Sequence, residues 1–190
     1  DGYMDIIVGN SLGTDQPAFN RLFRNDGDGT FTDITESAGI YEDTRTRCVS
    51  MADYDNDGNL DLVVGNEFKP IQLFRNNGNG TFHNATEAAG VGTPFWSSSA
   101  CFADINGDGL LDLYVANYLL YDPRTHKACT GNKKRTPSYC HPNKYDGAPD
   151  SLYLNRGGGR FEDISSQAGI AISGRILAKG LGVLPTDFDS

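Results

Sequence analysis

Two nine-residue stretches concentrate the chemistry of this chain. Asp53-Tyr54-Asp55-Asn56-Asp57-Gly58-Asn59-Leu60-Asp61 has the form D-x-D-x-D-G-x-x-D. Asp104-Ile105-Asn106-Gly107-Asp108-Gly109-Leu110-Leu111-Asp112 repeats it with Asn106 at position three. Calcium takes roughly six to eight hard oxygen ligands at about 2.3–2.6 Å, and side chains at positions one, three, five and nine supply them from one short turn. The carbonyl at position seven, from Asn59 or Leu110, adds another oxygen, and the glycine at position six lets the backbone wrap the ion. Carboxylates crowded this closely repel one another unless a cation neutralises them, so a merely solvated acidic turn is the poorer explanation. An EF-hand loop begins in the same way. It then needs a bidentate Glu at position twelve and an exiting helix, whereas position twelve here is Val64 or Val115, inside β-rich sequence.

The two ends carry halves of the same loop. Asp1-Gly2-Tyr3-Met4-Asp5 matches its second half and Thr186-Asp187-Phe188-Asp189-Ser190 its first. Joined, Asp187, Asp189, Asp1 and Asp5 fall in phase as a calcium site. The expectation is therefore either a piece of a longer array or copies that complete one another head to tail. In the second case 180–190 lends a strand and half a loop to the next copy, a heterologous contact that gives a ring or a filament.

The elements that hold these loops repeat along the chain. Tyr3-Met4-Asp5-Ile6-Ile7-Val8-Gly9-Asn10 aligns with Asn59 to Asn66 and with Leu110 to Asn117. Each is followed by a second block, Leu22-Phe23-Arg24-Asn25, Leu73-Phe74-Arg75-Asn76 or Leu152-Tyr153-Leu154-Asn155, then by a glycine turn and a third block at Phe31, Phe82 or Phe161. Each unit closes on Ala38-Gly39-Ile40, Ala89-Gly90-Val91 or Ala168-Gly169-Ile170. The loop glycine recurs at Gly2, Gly58 and Gly109, spacings of 56 and 51 residues that match one four-stranded propeller blade. The predicted fold class is all-β, a β-propeller-type array of four-stranded antiparallel blades with calcium loops between strands one and two. Its units are repeat one over 1–47, lacking its first strand, repeat two over 48–98, repeat three over 99–179, and a following first strand over 180–190. In the second repeat the strands are read at 49–53, 60–64, 73–76 and 81–86. Strand two is apolar at nearly every position, as suits a strand covered on both faces.

Between Asp112 and Leu152 the chain runs 40 residues where the second repeat needs 12, an insertion of about 28 lying within 118–149. It holds Cys129 and Cys140, read as a disulfide, together with His126, His141 and the basic run Lys133-Lys134-Arg135, which is most simply a solvated patch. A zinc site is disfavoured because the adjacent Cys140-His141 pair chelates awkwardly. Cys48 and Cys101 lie on equivalent first strands and either bridge neighbouring blades or sit as small buried residues. Asn79 and Asn84 match the glycosylation pattern. Phe95 and Trp96 suit packing between blades better than a sugar platform.

With 25 acidic against 16 basic residues the net charge is −9, which argues against nucleic acid and anionic membranes as partners and for cations. No apolar run is long enough for membrane insertion. Four cysteines beside calcium loops point to an oxidising, extracellular setting, secreted or at the cell surface.

The repeated blocks resemble the FG-GAP/VCBS repeat family, to which integrin α-subunit propellers belong. The combination of Leu-Phe-Arg-Asn, Asp-Gly-Asp-Gly-Thr-Phe and Ala-Gly-Ile with the cysteine-bearing insertion is most similar to the ASPIC/UnbV and cartilage acidic protein group. The resemblance implies a calcium-stabilised propeller with adhesive or ligand-binding roles and no catalytic residues. Consistently, no G-x-S-x-G elbow or H-E-x-x-H helix occurs, and the histidines (His83, His126 and His141) have no evident partners. The expected function is a non-enzymatic module that binds calcium and a protein or glycan ligand, or further copies of itself. The rival is a propeller domain of a polysaccharide-active enzyme.

Overall fold

A computed structural model describes residues 2–11, 19–42, 44–122, 124–125, 129–130, 137–138, 140–172 and 179–187. They form three antiparallel sheets and one small hairpin. The first sheet has strands β1 (Ile6–Val8), β2 (Arg21–Asn25) and β3 (Phe31–Asp33). The second has β4 (Thr46–Ala52), β5 (Asp61–Asn66), β6 (Gln72–Asn76) and β7 (Phe82–Asn84). A one-turn helix, α1 (Thr86–Ala89), follows. The third sheet runs in the spatial order β13 (Phe161–Asp163), β12 (Ser151–Asn155), β9 (Asp112–Asn117) and β8 (Ser97–Ala103). Between β9 and β12 the insertion forms the hairpin of β10 (Cys129–Thr130) and β11 (Pro137–Ser138), then a single 3-10 turn at Pro142–Lys144. No helix among the described residues is long and apolar enough to cross a membrane.

The middle sheet serves two cores at once, and strand periodicity explains how. Successive side chains of a strand point to opposite faces. Leu62 and Val64 of β5, with Phe74 of β6, pack against Leu22, Ala38 and Ile40 of the first repeat. Val63 and Leu73 point the other way, against Leu113, Val115, Tyr153 and Phe161 of the third. All six residues of β5 are buried, as a strand covered on both faces requires. Full burial of each such aliphatic side chain contributes about 1.5–3 kcal/mol.

Backbone contacts seal the seams between sheets. The Phe82 amide donates to the Ala38 carbonyl at 2.7 Å. Gly39 and Gly90 adopt left-handed φ of 78° and 76°. A Cβ on Gly39 would stand 2.9 Å from the Phe82 carbonyl oxygen and one on Gly90 3.0 Å from that of Phe161. The Ala-Gly-Ile and Ala-Gly-Val blocks are thus where each repeat meets the next.

Strand limits differ from the sequence reading in instructive ways. β4 starts at Thr46, three residues before the expected Val49, through a bulge between Thr46 and Cys48. The fourth strand is short, Phe82–Asn84. The segment after it winds into α1 because Glu87, Ala88 and Ala89 favour helix and Gly90 closes it with a left-handed cap. Residues 179–187 lie beside β8 without forming a strand: the Gly180 amide donates to the Asn117 carbonyl at 3.1 Å, and the Ser98 hydroxyl to the Gly180 carbonyl at 2.7 Å.

Candidate metal centre

Both complete acidic loops connect a first to a second strand, 53–61 between β4 and β5 and 104–112 between β8 and β9. Each leads straight into a strand, so Val64 and Val115 are buried sheet residues. The ninth-position carboxylates, Asp61 and Asp112, are only 0% and 1% exposed. Asp61 Oδ1 accepts from the Asn76 amide at 2.8 Å and Oδ2 from the Tyr54 amide at 3.2 Å. Asp112 repeats the pattern with the amides of Asn155 at 2.7 Å and Ile105 at 3.1 Å. The first-position carboxylates curl the loops. Asp53 accepts from the amides of Asp57 and Gly58 at 3.0 and 2.8 Å, and Asp104 from those of Gly107, Asp108 and Gly109 at 2.8, 3.1 and 2.9 Å.

In the second repeat, Asp53, Asp55 and Asp61 each present an oxygen within 4.8 Å of the others, a convergence found among the described residues at this loop alone. The Asp55 side chain is 7% exposed, and its Oδ1 has no hydrogen-bond partner. Leaving a buried acceptor unsatisfied costs about 1–3 kcal/mol, more when it is charged. An orphaned anionic oxygen beside two converging carboxylates is a donor set that fits a hard divalent cation. Burial above all, and then the charges of Asp55 and Asp57, push Asp61 up to about 6 despite the two amides that favour its ionised form.

Position five is turned aside in both loops. Asp57 Oδ1 accepts from the Asn59 backbone and side-chain amides, both at 2.9 Å, and its Oδ2 pairs with the Arg75 guanidinium at 2.9 Å. These contacts, the Asn59 backbone amide first, hold Asp57 below the usual carboxylate range. Asp108 accepts likewise from the Leu110 amide at 2.9 Å and from Asn106 Nδ2 at 2.8 Å. Asp104 is lowered too, chiefly by the Gly109 amide. In the first repeat, the exposed Asp5 accepts from the Asn25 amide at 2.8 Å. Asp187 is exposed beyond β13; Asp1 and Asp189 lie outside the described residues, as do His126 and Lys133-Lys134-Arg135.

Sequence reasoning missed the asparagines that position the loops. Asn25, Asn76 and Asn155 close their third strands, and each donates from Nδ2 to the carbonyl of the loop's eighth residue: Met4 at 3.2 Å, Leu60 at 3.0 Å and Leu111 at 2.9 Å. Asn155 also reaches the Tyr54 carbonyl in the preceding repeat, at 2.8 Å. Their recurrence at one place in every repeat was the available signal.

The family model described as FG-GAP-like repeat matches residues 1–64 and 53–115, more than half of the chain. The chain belongs to the FG-GAP-like repeat family. It is similar to Cartilage acidic protein 1 of Xenopus tropicalis, 34% identical over 128 residues, which are 65% of this chain and 19% of that protein. Cartilage acidic protein 1 of Homo sapiens is 32% identical over 119 residues, 60% of this chain and 17% of that protein. The chain spans less than a fifth of the length of these relatives.

The second FG-GAP-like match opens on Asp53 and closes just past Asp112, so it runs from one acidic loop to the next. Outside these loops, Cys129 and Cys140 form the expected disulfide, with Cα atoms 5.2 Å apart, and this leaves neither thiol for zinc. Cys48 and Cys101 are free thiols, which corrects the bridge between repeats as one reading of them. Cys48 sits against Gly65 of its own sheet, where burial pushes the thiol up to about 11. Asn79 and Asn84 are exposed, and each uses Oδ1 to cap a turn, accepting from the amides of Thr81 and Thr86 at 3.0 Å. Asp28 and Asp33 do the same for Thr30 and Thr35 in the first repeat, and Asp163 for Ser165 in the third, so Asn84 holds a capping place found in all three repeats and Asn79 one shared with the first.

At the opposite end of the sheets, the seam between the second and third FG-GAP-like repeats opens into an aromatic cleft of about 430 Å³. Trp96 meets Tyr118 edge-on at 5.3 Å and Phe68 at 5.9 Å. The Arg45 guanidinium lies 5.0 Å over Phe68 and that of Arg47 5.2 Å over Trp96. The insertion supplies the outer wall through Pro142 and Tyr145. Trp96 therefore both packs the seam and lines an open cleft.

Proposed function

We propose that this chain is part of an extracellular calcium-binding module of propeller type, non-enzymatic, in which calcium fixes the loops and the loops fix the sheets. The observation that carries this reading is the convergence of Asp53, Asp55 and Asp61, together with the buried Asp55 Oδ1 that has no proton donor. When bound, calcium supplies the positive charge those carboxylates lack. The chain's own part is to present the oxygens: Asp61 and Asp112 from the first residues of β5 and β9, Asp53 and Asp104 from the ends of β4 and β8. The disulfide and the similarity to Cartilage acidic protein 1 support an extracellular setting.

The ligand surface in this proposal is the aromatic cleft, and its ligand a glycan. Aromatic walls offer platforms for the apolar face of a sugar ring, and the Arg45 guanidinium has no carboxylate partner among the described residues. Surfaces that a neighbouring repeat covers elsewhere are assigned to a further repeat, from a longer chain or another copy joined head to tail. Tyr54 is 2% exposed under Phe161, whereas its counterpart Ile105 is 52% exposed.

Calorimetric titration of calcium into the metal-free chain, with thermal melting in calcium and in chelator, tests the central claim. Calcium should bind with heat and raise the melting midpoint. A midpoint indifferent to calcium would remove the basis for a structural ion.

A further inference from the structure

The two complete loops differ at two coupled places. Position three is Asp55 in one and Asn106 in the other. The residue before the closing asparagine of the third strand is Arg75 in β6 but Leu154 in β12. Arg75 reaches into its loop: Nε lies 2.5 Å from Asp55 Oδ2, off the hydrogen-bond axis, and the guanidinium donates to Asp57 Oδ2 at 2.9 Å. In the third repeat Asn106 Nδ2 donates to Asp108 Oδ2 at 2.8 Å. The Oδ2 of each position-five carboxylate thus receives one nitrogen donor, from a distant strand in one loop and from position three in the other.

Charge follows the same exchange. The second-repeat loop has four carboxylates (Asp53, Asp55, Asp57 and Asp61) and one guanidinium. The third has three carboxylates (Asp104, Asp108 and Asp112), a neutral amide and no cation from β12. Both come to −3. Arg24 occupies the equivalent place in the first repeat, yet it turns to Asp26 in the following turn, at 2.9 Å. The second repeat has Asn77 there, so Arg75 is left to the loop. A lone acidic cluster would not make this a binding site; the nine-tenths-buried Asp55, with one oxygen unpartnered, is the independent sign of a ligand.

We infer that Arg75 is an affinity-determining residue which holds the second-repeat loop at the charge of the third, so that both load over one calcium range. This rests on the calcium reading above. A fixed cation a few ångströms from a divalent ion opposes its binding, and removing it should tighten calcium on the order of tenfold. Removing the Asp55 charge as well should restore parity.

Calorimetry with calcium on the full chain tests this. The native chain should show one class of sites. Arg75→Leu should split the isotherm into two classes, the tighter by about tenfold. Arg75→Lys, which keeps the charge, should leave one class. Asp55→Asn with Arg75→Leu copies the third repeat, so it keeps a loop chemistry this chain already folds, and should return the isotherm to one class. Calcium heat that is identical in the native chain and the Leu variant, or weaker binding in that variant, would overturn the role of Arg75 and leave the calcium reading standing. No calcium heat from the native chain would overturn both.

Discussion

The side-chain amide of Asn155 donates to the Tyr54 carbonyl at 2.8 Å, linking the third strand of one repeat to the acidic loop of the repeat before it, 101 positions earlier. The same amide holds the Leu111 carbonyl at 2.9 Å, and Oδ1 accepts from the Gly157 amide at 2.9 Å. One buried side chain thereby sets two successive loops in register.

Asn155→Ala leaves two carbonyls and an amide without their partner, and should cost about 2–4 kcal/mol in urea unfolding. Asn155→Asp, which turns a buried carboxylate on the same two carbonyls, should cost at least as much. If the Ala variant lost less than about 0.5 kcal/mol, the asparagine would be filling space and not anchoring the loops.

Gly39→Ala and Gly90→Ala should each destabilise the chain by about 2–4 kcal/mol, because the new Cβ meets both a left-handed φ and a backbone carbonyl of the next repeat. Gly169 has the same conformation, φ 73°, with nothing within 4 Å of a Cβ. Gly169→Ala should therefore cost only about 1–2 kcal/mol. Equal losses at all three positions would mean that backbone strain alone matters and the seam does not.

Asp61 gives the loop a pH signature. Its folded value of about 6 lies above the ordinary 3.8, so between these values the metal-free fold binds a proton that the unfolded chain has released. That group stabilises the metal-free fold at acid pH, and its contribution is lost as pH rises through about 6. Calcium requires the carboxylate. The calcium-induced rise in melting midpoint should therefore grow between about pH 5 and 7, with Asp61→Asn flattening the profile. A calcium effect as large at pH 5 as at pH 7 would contradict this assignment.

Trp96 is the sole tryptophan of the chain, so its emission reports on the aromatic cleft directly. Titration with a panel of neutral and acidic oligosaccharides should give a saturable emission change for at least one sugar. Tyr121→Ala, which removes a neighbouring wall, should weaken that response about tenfold, a loss in line with stripping a buried aromatic anchor from a binding pocket. Flat emission across the panel would end the glycan assignment.

Much of this architecture could be read from residue types alone, for physical reasons. Aspartates at positions one and nine, glycines at turns and the continuous apolar stretch of strand two are each imposed by backbone conformation or by burial, and so recur with the repeat. α1 could not be read so easily: Thr86 to Ala89 follows a strand directly, and only the short pairing of β7 with β6 leaves room for a helical turn. The two-residue strands β10 and β11 offer no alternation to detect. Arg75 and Arg24 occupy matching positions and pair with different carboxylates, so position alone does not tell where a long side chain points. Cys48 and Cys101 occupy matching strands without pairing, because sharing a face does not bring two sulfurs together.

Coverage of β5 on both faces has a consequence for how the chain opens. Loss of either outer sheet strips one side of that strand and leaves the other packed, so its amides reach solvent only when both partners have separated. Deuterium should accordingly enter β5 last, after β3 and β13 at the outer margins have exchanged.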